Sequence, residues 1–328
     1  MKLSKSGSYA LIEILNGTSK VTSISQKLES HDVRSIQRAV QRLTELKLIS
    51  KQGPSNNPSY ACNFAESLRA EIPEKIFDDE DRPRSIFRFS LIDWLNALSA
   101  IELDGLFSEV TNLSIDKQEM SKKDLEHLTV ELSWKSSALE GNTYSLLDTQ
   151  LLLTEGVRAK NRTEFETQMI LNHKDALVFI TENPELFNNS LEFKTIEQLH
   201  RIIGNNLGID KGVRKKIVRI TASNYEPLAN PQQLREQADT ILSIINKSNN
   251  PYTRSLFALS LVPYLQIFED GNKRTGRMLA NALLITSINR GFSLRKVDAR
   301  QLALAYLKFY ELSSMQSIYK IFRSELKK

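Results

Sequence analysis

The sequence predicts a mainly α-helical protein, in which a small domain of three helices and a β-hairpin precedes a larger helical domain. Three observations support this fold class. From residue 91 onward, apolar residues recur at spacings of three and four. Before residue 62, a turn-rich segment separates two short strand-like runs. The 328 residues exceed the size of one typical domain.

Three short helices are predicted at the start of the chain. Residues 8–15 have an apolar helical pattern that Asn16-Gly17 ends, and residues 21–28 form a second amphipathic segment. Asp32 is expected to cap a third helix. That helix has one apolar stripe, made by Val33, Ile36, Val40, Leu43 and Leu46.

A β-hairpin is predicted after the third helix. Residues 48–51 and 59–62 bracket the turn-rich segment 53–58. Three helices followed by a hairpin resemble a winged helix-turn-helix module. The resemblance implies that the third helix faces a DNA major groove, with Lys51 near the backbone; its groove-facing residues are Arg34, Ser35, Gln37 and Arg38. The alternative is an interaction domain with a solvated basic face.

The excess positive charge of the chain is confined to this first domain. The net charge is +5, and residues 1–62 hold nine basic and four acidic side chains. The remaining residues carry equal numbers of both signs. A polyanion such as duplex DNA is therefore the partner expected for residues 1–62.

The predicted domains are a winged helix at 1–62, a linker at 63–90 and a helical domain at 91–328. The linker contains Asp78-Asp79-Glu80-Asp81 followed by Arg82-Pro83-Arg84, a charge reversal with a helix breaker inside it. Within the helical domain, residues 214–225 are the one segment with an extended pattern.

Composition indicates a cytoplasmic protein without a membrane partner. No apolar run approaches the ~18–20 residues of a membrane-spanning helix, and the first residues lack the apolar stretch of a signal peptide. The single cysteine, Cys62, excludes an internal disulfide. The oligomeric state is left open, with a dimer among the options.

One loop carries the chemistry that the sequence predicts. Residues 268–277 lie between two apolar helical segments, and a loop that opens a helix presents free backbone N–H groups to an anion. Gly271 allows a phosphate to approach the backbone, and Arg274 and Arg277 lie on one helix face. Asp270 is suited to hold Mg²⁺ between phosphate oxygens.

This loop resembles that of the Fic family, His-x-Phe-x-(Asp/Glu)-Gly-Asn-(Gly/Lys)-Arg-x-x-Arg. Seven of the eight named positions match, and Gln266 stands where the family has its catalytic histidine. The resemblance spans roughly residues 91–300. It implies protein adenylyltransferase activity, in which AMP passes from ATP to a hydroxyl of a target protein, with ATP and Mg²⁺ as cofactors. It also implies phosphate contacts by Gly271, Asn272, Lys273, Arg274 and Arg277.

Two further segments resemble parts of Fic proteins. Residues 136–142 resemble the family's inhibitory motif, which implies that Glu140, with Ser136 four residues before it, pairs with Arg277 and blocks the productive pose of ATP. Residues 212–220 resemble the hairpin, or flap, that docks a target segment. The alternative for the flap is an ordinary edge hairpin.

The missing histidine leaves the function open. The amide of Gln266 cannot accept a proton near neutral pH, and loss of a general base typically costs about 10²–10⁴ in rate. Glu269 is expected to be solvated, and the four histidines lie far from the loop in sequence: His31, His127, His173 and His200. Three functions follow: an adenylyltransferase with another base, a nucleotide-sensing transcriptional regulator or pseudoenzyme, and a scaffold.

Overall fold

Helices dominate the computed structural model, which describes residues 3–29, 31–114 and 120–327. The mainly α fold class is thereby confirmed. The described residues form two compact units. The first unit comprises Met1–Trp94, Val218–Leu228 and Arg300–Lys320, and the second comprises Leu95–Ile217, Ala229–Ala299 and Ile321–Lys328.

The first unit begins with three helices and a hairpin, as predicted. The elements are α1 Lys5–Leu15, α2 Val21–Lys27, α3 Val33–Glu45, β1 Ile49–Gln52 and β2 Ser59–Cys62. The two strands are antiparallel, with Ile49 opposite Cys62. The predicted cap of α3 is confirmed, because the Asp32 carboxylate accepts a hydrogen bond of 2.9 Å from the Ser35 backbone. The winged-helix assignment and the domain boundaries stay predictions.

The predicted linker has more structure than its sequence suggested. It contains α4 Phe64–Arg69, a 3₁₀ turn at Glu74–Ile76 and β3 Ser85–Ile86, which pairs in parallel with β4 Tyr225–Glu226. Its apolar residues are buried in the core of the first unit, and these are Ala70, Ile72 and Ile76. Burial of these apolar side chains stabilises the structure of the segment. Its charged residue Arg82 is buried as well, in an ion pair of 2.7 Å with Glu311.

The second unit is built from helices alone, among the residues that the structure describes, and it contains the predicted loop. Its helices are α6 Ala100–Gly105, α7 Ser108–Thr111, α8 Lys122–Ala138, α9 Leu146–Glu155, α10 Glu164–Glu182, α11 Glu185–Asn188, α12 Phe193–Ile203, α13 Pro231–Lys247, α14 Pro251–Leu265 and α15 Asn272–Ile288. The remaining helices of the chain are α5 Phe89–Ala97, α16 Ala299–Leu312 and α17 Gln316–Leu326.

Helices α14 and α15 form the centre of the second unit and position the loop between them. Every residue of α14 is buried. The two helices approach closely at Gly276, where an added Cβ would lie 2.8 Å from the ring of Pro263. Helices α10, α11 and α12 pack against α15. The loop at 266–271 is therefore fixed at both ends by buried helices.

The predicted flap hairpin is absent, which corrects the interpretation of residues 212–220. No strand occurs in this fully described segment. Its backbone pairs instead with the loop after α14, because the Arg214 N–H donates to the carbonyl of Ile267 at 3.0 Å. Within the described ranges, the hairpin is the one that β1 and β2 form.

None of the helices in the described part of the chain combines the length and the apolar character needed to cross a membrane.

Candidate functional site

The loop between α14 and α15 turns at two residues with left-handed backbone conformations. Gln266 ends α14 with φ 52°, and Gly271 precedes α15 with φ 79°. Glycine adopts such a conformation without strain, and a Cβ at Gly271 would also lie 3.5 Å from the His200 ring. The first backbone N–H groups of α15 therefore open onto the loop.

Asn272 holds the loop in this shape. Its side-chain oxygen accepts from the Phe268 N–H at 3.0 Å, and its amide donates to the Phe268 carbonyl at 2.8 Å. A third bond of 3.2 Å reaches the Gln266 side-chain oxygen. The resemblance implied a phosphate contact for Asn272. In the structure, its side-chain amide forms hydrogen bonds with other residues of the loop.

Phe268 anchors the loop to α12 through His200. Phe268 is fully buried, and its ring stacks on His200 with 3.7 Å between centroids. The Nε2 atom of His200 lies 2.9 Å from the Asp270 carbonyl, so it donates there. Burial lowers the pKa of His200 to about 4, and the imidazole is therefore neutral at ordinary pH. His200 lies far from the loop in sequence, and the sequence alone did not indicate this contact.

Arg274 is a buried cation that forms an ion pair with the loop. Its side chain is 2% exposed and donates to the Asp270 carboxylate at 2.7 Å through one terminal nitrogen. The other terminal nitrogen, NH1, is buried and has no hydrogen-bond partner among the described residues. Because an unpaired buried donor is costly, this nitrogen indicates a place for an acceptor.

Arg277 and Lys273 both bind Glu140. The Arg277 guanidinium lies 2.8 Å from one carboxylate oxygen of Glu140, and the Lys273 ammonium lies 3.1 Å from the other. Arg277 is 1% exposed and also donates to the Ser136 hydroxyl at 3.0 Å and to the Ser136 carbonyl at 3.1 Å. We call these four residues the Glu140 clasp.

The charge of Glu140 is stabilised by its two partners. Burial alone would raise the pKa of this carboxyl, but the nearby charges of Arg277 and Lys273 outweigh burial and lower the pKa below its usual value. Glu140 is therefore ionised at neutral pH, and its negative charge stands close to where an anion would meet Arg277.

Gln266 is locked in place by its own hydrogen bonds. Its amide nitrogen donates to the Pro263 carbonyl at 2.7 Å, and its amide oxygen accepts from Asn272. The Gln266 backbone carbonyl accepts from the Arg214 guanidinium at 2.6 Å. Both ends of the side chain are thus in use, and the residue is 8% exposed.

The segment that was predicted to be a flap contacts the loop through charges. Lys216 forms an ion pair of 2.8 Å with Glu269 and a longer one with Asp210. Glu269, which was expected to be solvated, is 31% exposed and pairs with Lys216. The reason is that residues 212–217 follow the loop backbone, which no spacing in the sequence indicates.

Asp270 is the carboxylate available for Mg²⁺ on the loop. Its side chain is mostly exposed and has Arg274 as its ion-pair partner. Among the described residues, no group of three or more His, Cys, Asp or Glu side chains is placed to hold a metal. One carboxylate suits an ion that takes most of its remaining ligands from phosphate and water.

A family model matches this part of the chain. Residues 190–284, which include α12, α14 and the loop, match the model of the Fic/DOC family. The chain contains a Fic/DOC domain. Residues 1–189, with the small N-terminal domain and Glu140, lie outside the matched segment.

Curated relatives of the Fic domain are named protein adenylyltransferases. The relative from Nematostella vectensis is 25% identical over 263 residues, which cover 79% of this chain and 54% of the relative. The Caenorhabditis elegans relative, fic-1, is 27% identical over 158 residues, covering 46% of this chain and 30% of the relative. The chain therefore spans about half, or less, of the length of these relatives.

Solved structures share the fold of the Fic domain. Fic-1 of C. elegans, residues 134–508, aligns with a TM-score of 0.52 at 19% identity, covering 72% of this chain and 70% of that chain. A Fic domain containing signaling protein from Bacteroides thetaiotaomicron aligns with a TM-score of 0.51 at 18% identity, covering 69% and 95%. At these identities the comparison establishes the fold.

The structure brings most of the predicted residues of the Fic domain together. Gln266, Asp270 and the residues of the Glu140 clasp all belong to the second unit. Sequence reasoning missed the roles of Arg214 and His173 and the contact of His200 with the loop. A buried histidine in an otherwise apolar helical stripe was the available signal, but that pattern is equally typical of packing residues.

The predicted DNA-contacting residues lie on α3 in the first unit. Arg34, Gln37 and Arg38 are exposed, and Ser35 is half-buried. Arg42, one turn later, pairs with Glu45 at 3.0 Å. No ion-pair partner occurs for Arg34 or Arg38 among the described residues, which leaves both guanidinium groups available.

Proposed function

We propose that this protein binds an adenine nucleotide at the loop between α14 and α15, and that its adenylyltransferase activity is blocked in two ways. The observation that carries the proposal is the buried NH1 group of Arg274, which has no acceptor within the described residues. A phosphate oxygen supplies that acceptor, together with charge complementary to Arg274, Arg277 and Lys273.

The backbone of the loop supports the same ligand. The left-handed Gly271 leaves the first N–H groups of α15 directed at the loop, where the helix dipole also favours an anion. Asp270 would hold Mg²⁺, which when bound neutralises part of the phosphate charge. Adenylylation requires a target hydroxyl to attack the α-phosphorus while pyrophosphate leaves and a base takes the hydroxyl proton.

The residues present limit that reaction at two points. Gln266 offers no base, and both ends of its side chain are already hydrogen-bonded. Glu140 holds Arg277 and Lys273, so that bound phosphates must compete with a carboxylate. Nucleotide binding with little or no transfer is the resting behaviour that we propose, and nucleotide sensing is the role that such behaviour serves.

Arg274→Ala is expected to weaken ATP binding about 10- to 100-fold, because it removes charge-assisted hydrogen bonds to phosphate. Calorimetry with ATP, with and without Mg²⁺, measures this effect. Arg201→Ala is the matched control, since Arg201 lies on α12 in the same unit and is exposed. Equal ATP affinity in wild type and Arg274→Ala contradicts the site.

A second function, DNA binding by residues 1–62, is favoured by Arg34 and Arg38, which are exposed and have no ion-pair partner among the described residues. The logarithm of the DNA association constant falls as the logarithm of the salt concentration rises. If Arg34 and Arg38 each contact a phosphate of a duplex, Arg34→Ala with Arg38→Ala is expected to make this slope shallower by about 2. Fluorescence anisotropy with a 20-base-pair duplex over a salt series checks this. The charge-matched control is Lys122→Ala with Lys123→Ala on α8, and an equal loss in both double variants argues for an interaction domain instead.

A further inference from the structure

A buried histidine on α10 connects to the Glu140 clasp through Ser136. His173 is completely buried, and its Nδ1 atom lies 2.7 Å from the Met169 carbonyl. A carbonyl only accepts, so Nδ1 carries the proton and donates it there. The second ring nitrogen, Nε2, is therefore left as an acceptor.

The direction of the next two hydrogen bonds follows from this tautomer. Nε2 of His173 lies 2.8 Å from the Ser136 hydroxyl, so the hydroxyl donates its hydrogen to the imidazole. The oxygen lone pairs of Ser136 then face the Nε–H of Arg277 at 3.0 Å. His173, Ser136 and Arg277 therefore form one chain of hydrogen bonds that runs from the guanidinium to the imidazole, and Nδ1 of His173 also lies 3.4 Å from the Ser137 hydroxyl.

The imidazole stays neutral, which keeps this chain in one direction. Burial lowers the pKa of His173 to about 3, although its bond to the Met169 carbonyl opposes the shift; the positive charges of Arg274 and Arg277 lower the pKa further. A protonated imidazole would present a donor to an oxygen that already accepts from Arg277. At neutral pH this does not occur.

We propose that His173 is a positioning residue that orients the Ser136 hydroxyl and thereby holds Arg277 in its Glu140-bound pose. The inference rests on the proposed function, since it concerns how the nucleotide site is kept closed. A nucleotide phosphate must draw Arg277 away from two acceptors on Ser136 as well as from Glu140. Without the imidazole, the Ser136 hydroxyl is free to turn toward its own helix backbone, and its lone pairs leave the Arg277 direction.

The test compares ATP affinity in two backgrounds of the full chain. In the presence of Glu140, His173→Phe is expected to strengthen ATP binding about fivefold, because the closed pose loses about one hydrogen bond. The Glu140→Gly background lacks the carboxylate toward which the Ser136 bonds hold Arg277, so the same substitution is expected to change ATP affinity less there. Calorimetry measures the ATP affinity of each variant and of its parent in both backgrounds. The difference between the two changes in binding free energy is the coupling between positions 173 and 140.

Three further variants separate positioning from packing. His173→Gln retains an acceptor for Ser136 and is expected to keep the wild-type affinity, while His127→Phe, at an exposed position on α8, is the matched control. Ser136→Ala removes one acceptor of Arg277 with little change in packing and is expected to strengthen ATP binding several-fold only when Glu140 is present. This variant retains the test if His173→Phe does not fold.

The outcomes that overturn the proposal are distinct. If Glu140→Gly binds ATP but His173→Phe and Ser136→Ala change affinity equally in both backgrounds, or in neither, the histidine has only a packing role. If Glu140→Gly fails to bind ATP at all, the proposed nucleotide site itself is wrong and this inference fails with it.

Discussion

Gln266→His combined with Glu140→Gly is expected to transfer AMP to protein about 10²–10⁴ times faster than Glu140→Gly alone, because it supplies the general base that the site lacks. The backbone at position 266 suits the change. Its φ of 52° is left-handed, a region in which histidine is found more often than most residues. The bond from Arg214 reaches the backbone carbonyl of residue 266 and does not depend on the side chain.

Label transfer from α-labelled ATP to the protein itself or to lysate proteins measures this activity. Gln266→Asn with Glu140→Gly is the matched control, since it changes the side chain at the same position without providing a base. If Glu140→Gly alone is as active as the double variant with histidine, another group accepts the proton and the wild type is an enzyme. If neither transfers AMP while both bind ATP, the site serves as a nucleotide sensor.

Glu140→Gly is expected to strengthen ATP binding about 10- to 100-fold, since it frees Arg277 and Lys273 from a carboxylate that competes with phosphate. The same change leaves Arg277 buried without its counter-charge, so that Tm is expected to fall in the absence of nucleotide. Added ATP is expected to restore the lost Tm, because binding to the folded state stabilises it.

Calorimetry and thermal unfolding with and without ATP check this second result. Arg277→Ala in the Glu140→Gly background is expected to remove most of the gain in affinity. Glu140→Gln, which keeps the size of the side chain but not its charge, is expected to fall between wild type and Glu140→Gly. Equal affinity in wild type and Glu140→Gly would show that Glu140 does not compete with the nucleotide.

The two changes act on different parts of the same site. Gln266 concerns the proton of the target hydroxyl, whereas Glu140 concerns the cations that meet phosphate. A protein with only the first change retains a closed site, and one with only the second binds nucleotide without a base. The combination therefore distinguishes a silenced enzyme from a site that has become a sensor.

The sequence by itself determined the features that depend on neighbours in the chain. The cap of α3 by Asp32 and the hairpin around residues 53–58 both follow from local residue types, and both were confirmed. The spacing of Arg274 and Arg277 on one helix face is equally local. Short-range sterics and hydrogen bonding decide such features, so that a single sequence is enough to predict them.

Only the tertiary structure decided which distant groups meet the loop. His200 stacks on Phe268 across 68 positions, and Ser136 joins His173 to Arg277 from a third helix. Residues 212–217 lie along the loop because Arg214 bonds to the carbonyls at its start, and this replaces the predicted hairpin. These contacts depend on how α8, α10 and α12 pack around α15. Packing is decided by the fit of whole helix faces, which leaves no fixed spacing for a reader of the sequence to find.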